Sequence, residues 1–345
     1  MRARRSAPSR SSRRSARGKS AASACRATCW ACWPFSTVGE SRHEFSIQVS
    51  THQEEHVSEV TIVSDSVASI PEAVIEALHI HWVPYYIHRG QEVLRDLVSA
   101  QRETFYDWML TATALPTTAS PGPGDYLTLY QKLADEQGVR EIVSIHMTSK
   151  GSGAYQAATV AQSMLAETRP ELRVEVIDTL NVSMCQGWMV IEAARAALAG
   201  KSLADIVALV KGMMPITRMI QTADTLKYLY MGGRIGRAKH LVATLLNIKP
   251  LIGMEDGVIV ALGQVRNRHR AYQAMAEMIE AAVDKMGKVK IAYVHAAARE
   301  EAEKIRALVE ERVNCVESLI AELSPALGVH TGPGTAGVCY FPVRD

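Results

Sequence analysis

The chain has 345 residues, 48% hydrophobic and 21% charged, which is enough to build sizeable apolar cores and excludes a wholly disordered protein. Its formal net charge is only +2, yet residues 1–58 hold ten Lys/Arg against four Asp/Glu, leaving the other 287 residues at −4. The basic character belongs to a leader, and no specific nucleic-acid partner is expected for the rest.

That leader opens MRARRSAPSRSSRRSARGKS, with eight basic residues, no acid and no apolar period, so residues 1–58 read as a disordered arm or as the product of a start codon assigned too far upstream. Such an arm can hold nucleic acid or an anionic membrane by nonspecific electrostatics. Arg17, Lys19 and Arg26 interrupt any apolar export signal, and no later stretch reaches the roughly 18 apolar residues of a membrane span. A cytoplasmic protein without a transmembrane segment is expected, with at most transient membrane contact. Cys25, Cys29 and Cys32 have the C-x3-C-x2-C spacing of radical-enzyme iron-sulfur ligands, but Trp30 stands one place too early and no repeated βα barrel follows. No cofactor or metal is expected there, and Cys185, Cys315 and Cys339 lie too far apart for a disulfide framework.

The first credible element is the β-branched run Val60 to Ser64, a buried strand ending at Asp65-Ser66 and followed by a helix over Pro71 to Leu78. An extended run from Ile80 to Ile87 turns at Arg89-Gly90-Gln91, and Arg95-Asp96-Leu97 leads to a helix with Phe105, Trp108 and Met109. The loop from Pro116 to Gly124, rich in Pro and Gly, precedes a helix with Tyr126, Tyr130 and Leu133. Strand Glu141 to Met147, turn Thr148 to Gly153, helix Tyr155 to Leu165, strand Val174 to Ile177 and helix Gly187 to Leu198 follow at βα spacing. Parallel strands crossed by helices are implied, with ligands expected at the carboxyl ends of the strands, where the Asp65, Thr118 and Ser152 loops emerge.

Beyond Ile216 the pattern changes. Strand Arg218 to Gln221 leads to helices Asp224 to Tyr230 and Lys239 to Leu246, then to strands Lys249 to Met254 and Val258 to Val265, joined by a hairpin turn at Asp256-Gly257. Helix His269 to Met286, strand Val289 to His295, helix Arg299 to Val313, strand Cys315 to Leu323 and a strand around Val338 to Phe341 complete the chain. The expected fold class is α/β: a doubly wound, mainly parallel-sheet lobe over 59–217 and an α+β lobe over 218–345.

Three small, hydroxyl- or glycine-rich loops stand out at element ends: Thr117-Thr118-Ala119-Ser120, Ser149 to Gln156, and His330-Thr331-Gly332-Pro333-Gly334. Ser152-Gly153 sits where a helix begins, and a helix N-terminus stabilises an anion through free N–H groups and a partial positive charge. A serine there equally serves to cap its own helix.

Taken together, these loops resemble the DegV family of bacterial fatty-acid-binding proteins, partners of fatty acid kinase. TTASPGPG is similar to the family's TTSQPSPG loop, SKGSGAYQAA to SSGLSGTYQSA, and HTGPGTAGVCYF to its HTGPG segment. Asp65-Ser66, Arg95-Asp96, Val176 to Asp178 and Leu226 to Gly236 fall in the family's order, and the resemblance runs from about Val60 to Phe341. It implies a ligand held between the lobes, with Thr118 and Ser152 on the carboxylate of a long-chain fatty acid. Gly153, His330, Gly332, Gly334, Asp65 and Ser66 would lie around the head group, and Arg234 at the mouth, facing a kinase or an acyl-phosphate. The sequence departs from the family at Ala119, Ser120, Gly151 and Ala154.

The tail would need an apolar lining, for which Met213, Met214, Ile216, Met219, Ile220, Leu241, Val242, Leu245 and Leu246 are candidates, and the fourteen methionines suit variable packing. No P-loop is present, so phosphorylation would need a separate kinase. The rival reading is a serine hydrolase with Ser152 as nucleophile, His330 as base and Asp65 as acid. Lys150-Gly151-Ser152-Gly153-Ala154 does not match a nucleophile elbow, and no H-E-x-x-H metal motif is present.

Overall fold

A computed structural model describes residues 60–244, 248–283 and 287–343. The leader, its three cysteines, and Leu245 and Leu246 lie outside the described residues. The first part of the chain supplies β1 (Val60–Asp65), α1 (Glu72–Ala77), β2 (His81–Val83), β3 (Tyr86–Arg89), β4 (Glu92–Arg95), α2 (Arg102–Thr111) and β5 (Thr117–Ala119). Next come α3 (Pro123–Gln137), β6 (Glu141–His146), α4 (Ala154–Thr168), β7 (Arg173–Asp178), α5 (Met184–Leu198) and α6 (Leu203–Met213). The second part adds β8 (Arg218–Thr222), α7 (Lys227–Met231), a 3-10 helix at Gly236–Thr244, β9 (Lys249–Glu255), β10 (Val258–Val265) and α8 (Arg268–Ala282). It closes with β11 (Lys288–His295), α9 (Arg299–Glu310), β12 (Asn314–Glu322), α10 (Pro325–Thr331) and β13 (Ala336–Val343).

Strands β2, β1, β6 and β7 form a parallel sheet in that order. Ile62, Val63, Ile142, Val143 and Ile145 are all buried, the continuous apolar run expected of strands covered on both faces. Helices α3 and α4 pack together, as do α5 and α6, and this double winding is the expected architecture. A second, small antiparallel sheet is made by β4, β3 and β5. It is absent from the sequence reading, where β4 falls in the unassigned stretch after the turn at Arg89-Gly90-Gln91 and β5 in a loop.

The second part forms one mixed sheet, β10-β9-β8-β13-β11-β12, antiparallel except for β11 with β12. Its hairpin turns where expected: Asp256 and Gly257 take φ +50° and +75°, the two positive values that a two-residue primed turn demands. All strands up to β7 lie in the first two sheets and all from β8 onward in the third, yet Met189 and Val190 of α5 share one core with Val294, Cys339 and Phe341. Trp188 donates its indole N–H to the Cys339 carbonyl at 3.1 Å, binding α5 to β13.

Candidate functional site

The parallel sheet ends in loops that become helices, and these loops meet the second part around a cavity of about 360 Å³, within the usual size range of ligand sites. From the first part come Thr118, the turn Met147 to Gly153, and Ser183; from the second come Met219, Leu229, Arg234, Ile252 and the α10 residues Leu327 and His330. Thr118 is held in place because it pairs with Ile87 in the small sheet. Ser152 lies at the start of α4, where Gly153 approaches Ser120 so closely that a Cβ would stand 3.1 Å from its hydroxyl.

Two hydroxyls in the cavity wall each have a second group behind them. Thr118 Oγ1 lies 2.7 Å from His330 Nε2, and Ser152 Oγ lies 2.6 Å from the Tyr85 hydroxyl. Ser152 Oγ also accepts the Ala154 N–H at 3.3 Å, so the capping role and a place in the cavity wall coexist. Burial, followed by the nearby Arg234 charge, lowers the His330 pKa to about 4, which leaves the imidazole neutral at pH 7. Its Nδ1 is buried without a partner, against Gly232. The tautomer protonated on Nε2 donates to Thr118 and leaves only a lone pair unpaired, whereas the other would bury an N–H with no acceptor. In that state the Thr118 proton is free to serve an acceptor in the cavity.

The rest of the wall is largely apolar, with Val67, Met147, Met219, Leu229, Ile252 and Leu327. Of the expected lining, Met219 is in place. Met213, Ile220 and Leu241 are buried in the cores away from the cavity, Met214 and Ile216 do not face it, and the Val242 side chain is not among those described.

The structure brings Thr118, Ser152, Gly153, His330 and Arg234 to one cavity, but moves four expected residues off its wall. Asp65 is buried with its carboxylate accepting from Gln186 Nε2 at 3.0 Å and 3.1 Å from His146 Nδ1. Ser66 Oγ accepts the Tyr85 backbone N–H at 3.1 Å. The HTGPG segment is not a single loop: His330 and Thr331 are the last turn of α10, a helix opened by Ser324 and Pro325. Gly332 ends it at φ +80°, with the Tyr228 ring lying where a Cβ would stand, so its glycine serves chain direction and packing. The Gly334 carbonyl accepts from Arg268 at 2.7 Å in a separate polar recess with His295 and Glu301.

This arrangement removes the basis of the hydrolase. Ser152 bonds Tyr85, His330 bonds Thr118, and Asp65 orients a different histidine. That histidine, His146, has Ser144 Oγ 2.8 Å from its Nε2; the resulting Ser-His-Asp row is fully buried, and Tyr130 donates to the same serine at 2.7 Å. Its geometry serves core satisfaction, with no room for a substrate. Among the described residues no group of three His, Cys, Asp or Glu converges as a metal site.

Sequence reasoning missed Tyr85 and Ser183. Tyr85 follows Pro84 in the break between β2 and β3 and is 4% exposed; in an apolar run it reads as strand filling. Ser183 precedes α5 with φ +58°, a strained value for a non-glycine residue. Its hydroxyl is buried without a partner.

Arg234 lies at the rim. It is exposed, donating to the Gly232 carbonyl at 2.7 Å and to the Gly151 carbonyl at 3.4 Å.

Comparisons with known proteins agree on one relationship. A family model described as an uncharacterised protein of the DegV family matches residues 59–343. A DegV domain-containing protein of Halalkalibacterium halodurans is 30% identical over 287 residues, covering 83% of this chain and 99% of the relative. Among solved structures, a DegV family protein from Thermus thermophilus described by its fatty acid binding is 27% identical with a TM-score of 0.77, covering 82% of this chain and 99% of that one. DegV of Bacillus subtilis, described as a fatty acid binding protein, is 28% identical with a TM-score of 0.74, covering 82% and 98%.

Proposed function

Because the chain belongs to the DegV family, we propose that its cavity holds a long-chain fatty acid, carboxylate on Thr118 and Ser152 and tail along the apolar wall. The observation that carries this reading is the pair of backed hydroxyls in the wall of a mainly apolar cavity. A carboxylate there gains charge-assisted hydrogen bonds without a permanent countercharge being buried. Most of the affinity comes from the tail: about fifteen methylenes at about 0.8 kcal/mol each give roughly 12 kcal/mol of gross transfer energy before association costs.

On this reading the protein is a non-catalytic, cytoplasmic carrier. It presents the carboxylate to a separate ATP-dependent fatty acid kinase and carries the acyl-phosphate onward, with Arg234 at the rim meeting the kinase or the phosphate. Ser152 and His330 act as binding groups, Ser66 supports Tyr85, and Gly332 and Gly334 shape the chain after His330. Among the described residues no helix is long and apolar enough to cross a membrane. Transient contact with one would fall to Tyr230 and Met231, which are 55% and 61% exposed beside the rim.

Mass spectrometry of lipid extracted from gently purified protein tests the binding directly, with a fatty acid as the expected species. An empty cavity that also takes up no added fatty acid would sink the proposal. The kinase step is read separately: acyl-phosphate should appear only when protein, fatty acid, ATP and kinase are combined.

A further inference from the structure

Resting on the fatty-acid reading above, we infer that Tyr85 is a positioning residue. By donating its phenol proton to Ser152, it commits the Ser152 hydroxyl to act as a donor toward the ligand and makes the site select an ionised carboxylate over neutral head groups.

The geometry of one oxygen atom carries this. A serine hydroxyl has one proton and two lone pairs. Ser152 Oγ accepts the Ala154 N–H at 3.3 Å and stands 2.6 Å from the Tyr85 hydroxyl. A phenol is a stronger acid than an aliphatic alcohol, hence the better donor of the two. Burial, reinforced by the Asp65 charge, pushes the Tyr85 pKa well above its ordinary value, so the phenol keeps its proton to donate. With both lone pairs of Ser152 then occupied, only its proton remains for the ligand. A carboxylate has no proton of its own to place and matches this. A fatty alcohol or amide brings O–H or N–H groups that find no acceptor at Ser152, and an unpaired buried donor is costly.

Tyr85 is also fixed before any ligand arrives. Its N–H donates to Ser66 Oγ at 3.1 Å, and its carbonyl accepts the Asp96 N–H at 2.8 Å. The preceding Pro84 restricts the chain further. The phenol thus meets Ser152 from a backbone held on both sides, and little ordering remains to be done on binding.

The test is a double-mutant cycle on the full chain, with Tyr85→Phe and Ser152→Ala singly and together, measuring Kd for palmitic acid, its amide and the corresponding alcohol. Tyr85→Phe should weaken the acid about tenfold, because the Ser152 proton is no longer committed to the carboxylate, while leaving the alcohol and amide within about twofold. In the Ser152→Ala background the same change should move the acid by less than about twofold, because Tyr85 acts through Ser152. Equal losses for all three ligands, or an undiminished tenfold loss without Ser152, would overturn the inference and leave the fatty-acid reading intact. Failure of the unaltered protein to bind palmitic acid would instead defeat that reading itself, and this inference with it.

Discussion

Replacing Thr118 with valine keeps the shape of the side chain and removes its hydroxyl, which separates the affinity of the site from its stability. In the free protein His330 Nε2 loses its partner at 2.7 Å. That loss is present with or without ligand, so it lowers stability, by about 1 to 2 kcal/mol, and largely cancels from the binding equilibrium. What binding alone loses is the proposed charge-assisted hydrogen bond from Thr118 to the carboxylate. At about 1.5 to 3 kcal/mol this raises Kd by about 10- to 150-fold, while burial of the tail keeps binding measurable. Competition against a fluorescent fatty acid near pH 7.5 gives Kd, and thermal melting gives stability. A folded Thr118→Val protein whose Kd stays within twofold of the parent would refute the assignment of the carboxylate to Thr118.

Three further outcomes follow from particular contacts. Asp96 is buried, and burial raises its pKa to about 6 from an ordinary 3.8 despite hydrogen bonds that favour its ionised form. Folding therefore favours the protonated acid: its contribution is complete below pH 3.8 and is lost as pH rises through 6, a swing of about 3 kcal/mol. Asp96→Asn should melt higher than the parent at pH 7.5, and the difference should shrink on acidification to pH 4; a gap that does not change with pH counts against this account. Gly332→Ala should destabilise by roughly 2 to 5 kcal/mol, from backbone strain plus overlap with the Tyr228 ring, seen as a loss of melting temperature. Arg234→Gln should leave fatty-acid Kd within about threefold, since the guanidinium is exposed and bonds only carbonyls, but should cut acyl-phosphate formation with a kinase about tenfold. An equal effect on both would place Arg234 in the ligand site.

How much is readable in the residues depends on the range of the interaction. The β-branched runs of the parallel sheet and the Asp256-Gly257 turn are local signals and fall where expected. Helix α6 has equally local signals, Ser202 accepting the Asp205 N–H at its start and Leu203, Ile206, Val210 and Met213 on its buried face, yet it is missing from the sequence reading. Helix α10 is masked by the glycines after His330, which give the whole segment the look of a loop, although Ser324-Pro325 marks a helix start. The Tyr85 to Ser152 bond joins residues 67 apart, and Thr118 to His330 joins residues 212 apart. No local pattern encodes such pairs. Thr118, Ser152 and His330 are reached through family resemblance; their second partners are visible only once the chain is folded.

The neutral character of Thr118, Ser152, Tyr85 and His330 bears on what the proposed carrier role would require. A lysine or arginine pointing into this cavity would hold a carboxylate more strongly, but in the empty protein it would be a buried unpaired charge costing several kcal/mol. It would also oppose release. Tyr85 pairs with Ser152, and Thr118 with a His330 held neutral by burial, when the site is empty, and on the proposed reading the Thr118 and Ser152 protons remain for the ligand. The two cations that border the cavity, Arg234 and Lys150, are exposed to water and donate to backbone carbonyls, Lys150 to that of Asp256 at 2.7 Å. Under the proposed function, affinity then comes mainly from the tail and selectivity from the hydroxyls, so the head group stays exchangeable between acid and acyl-phosphate while the chain remains bound.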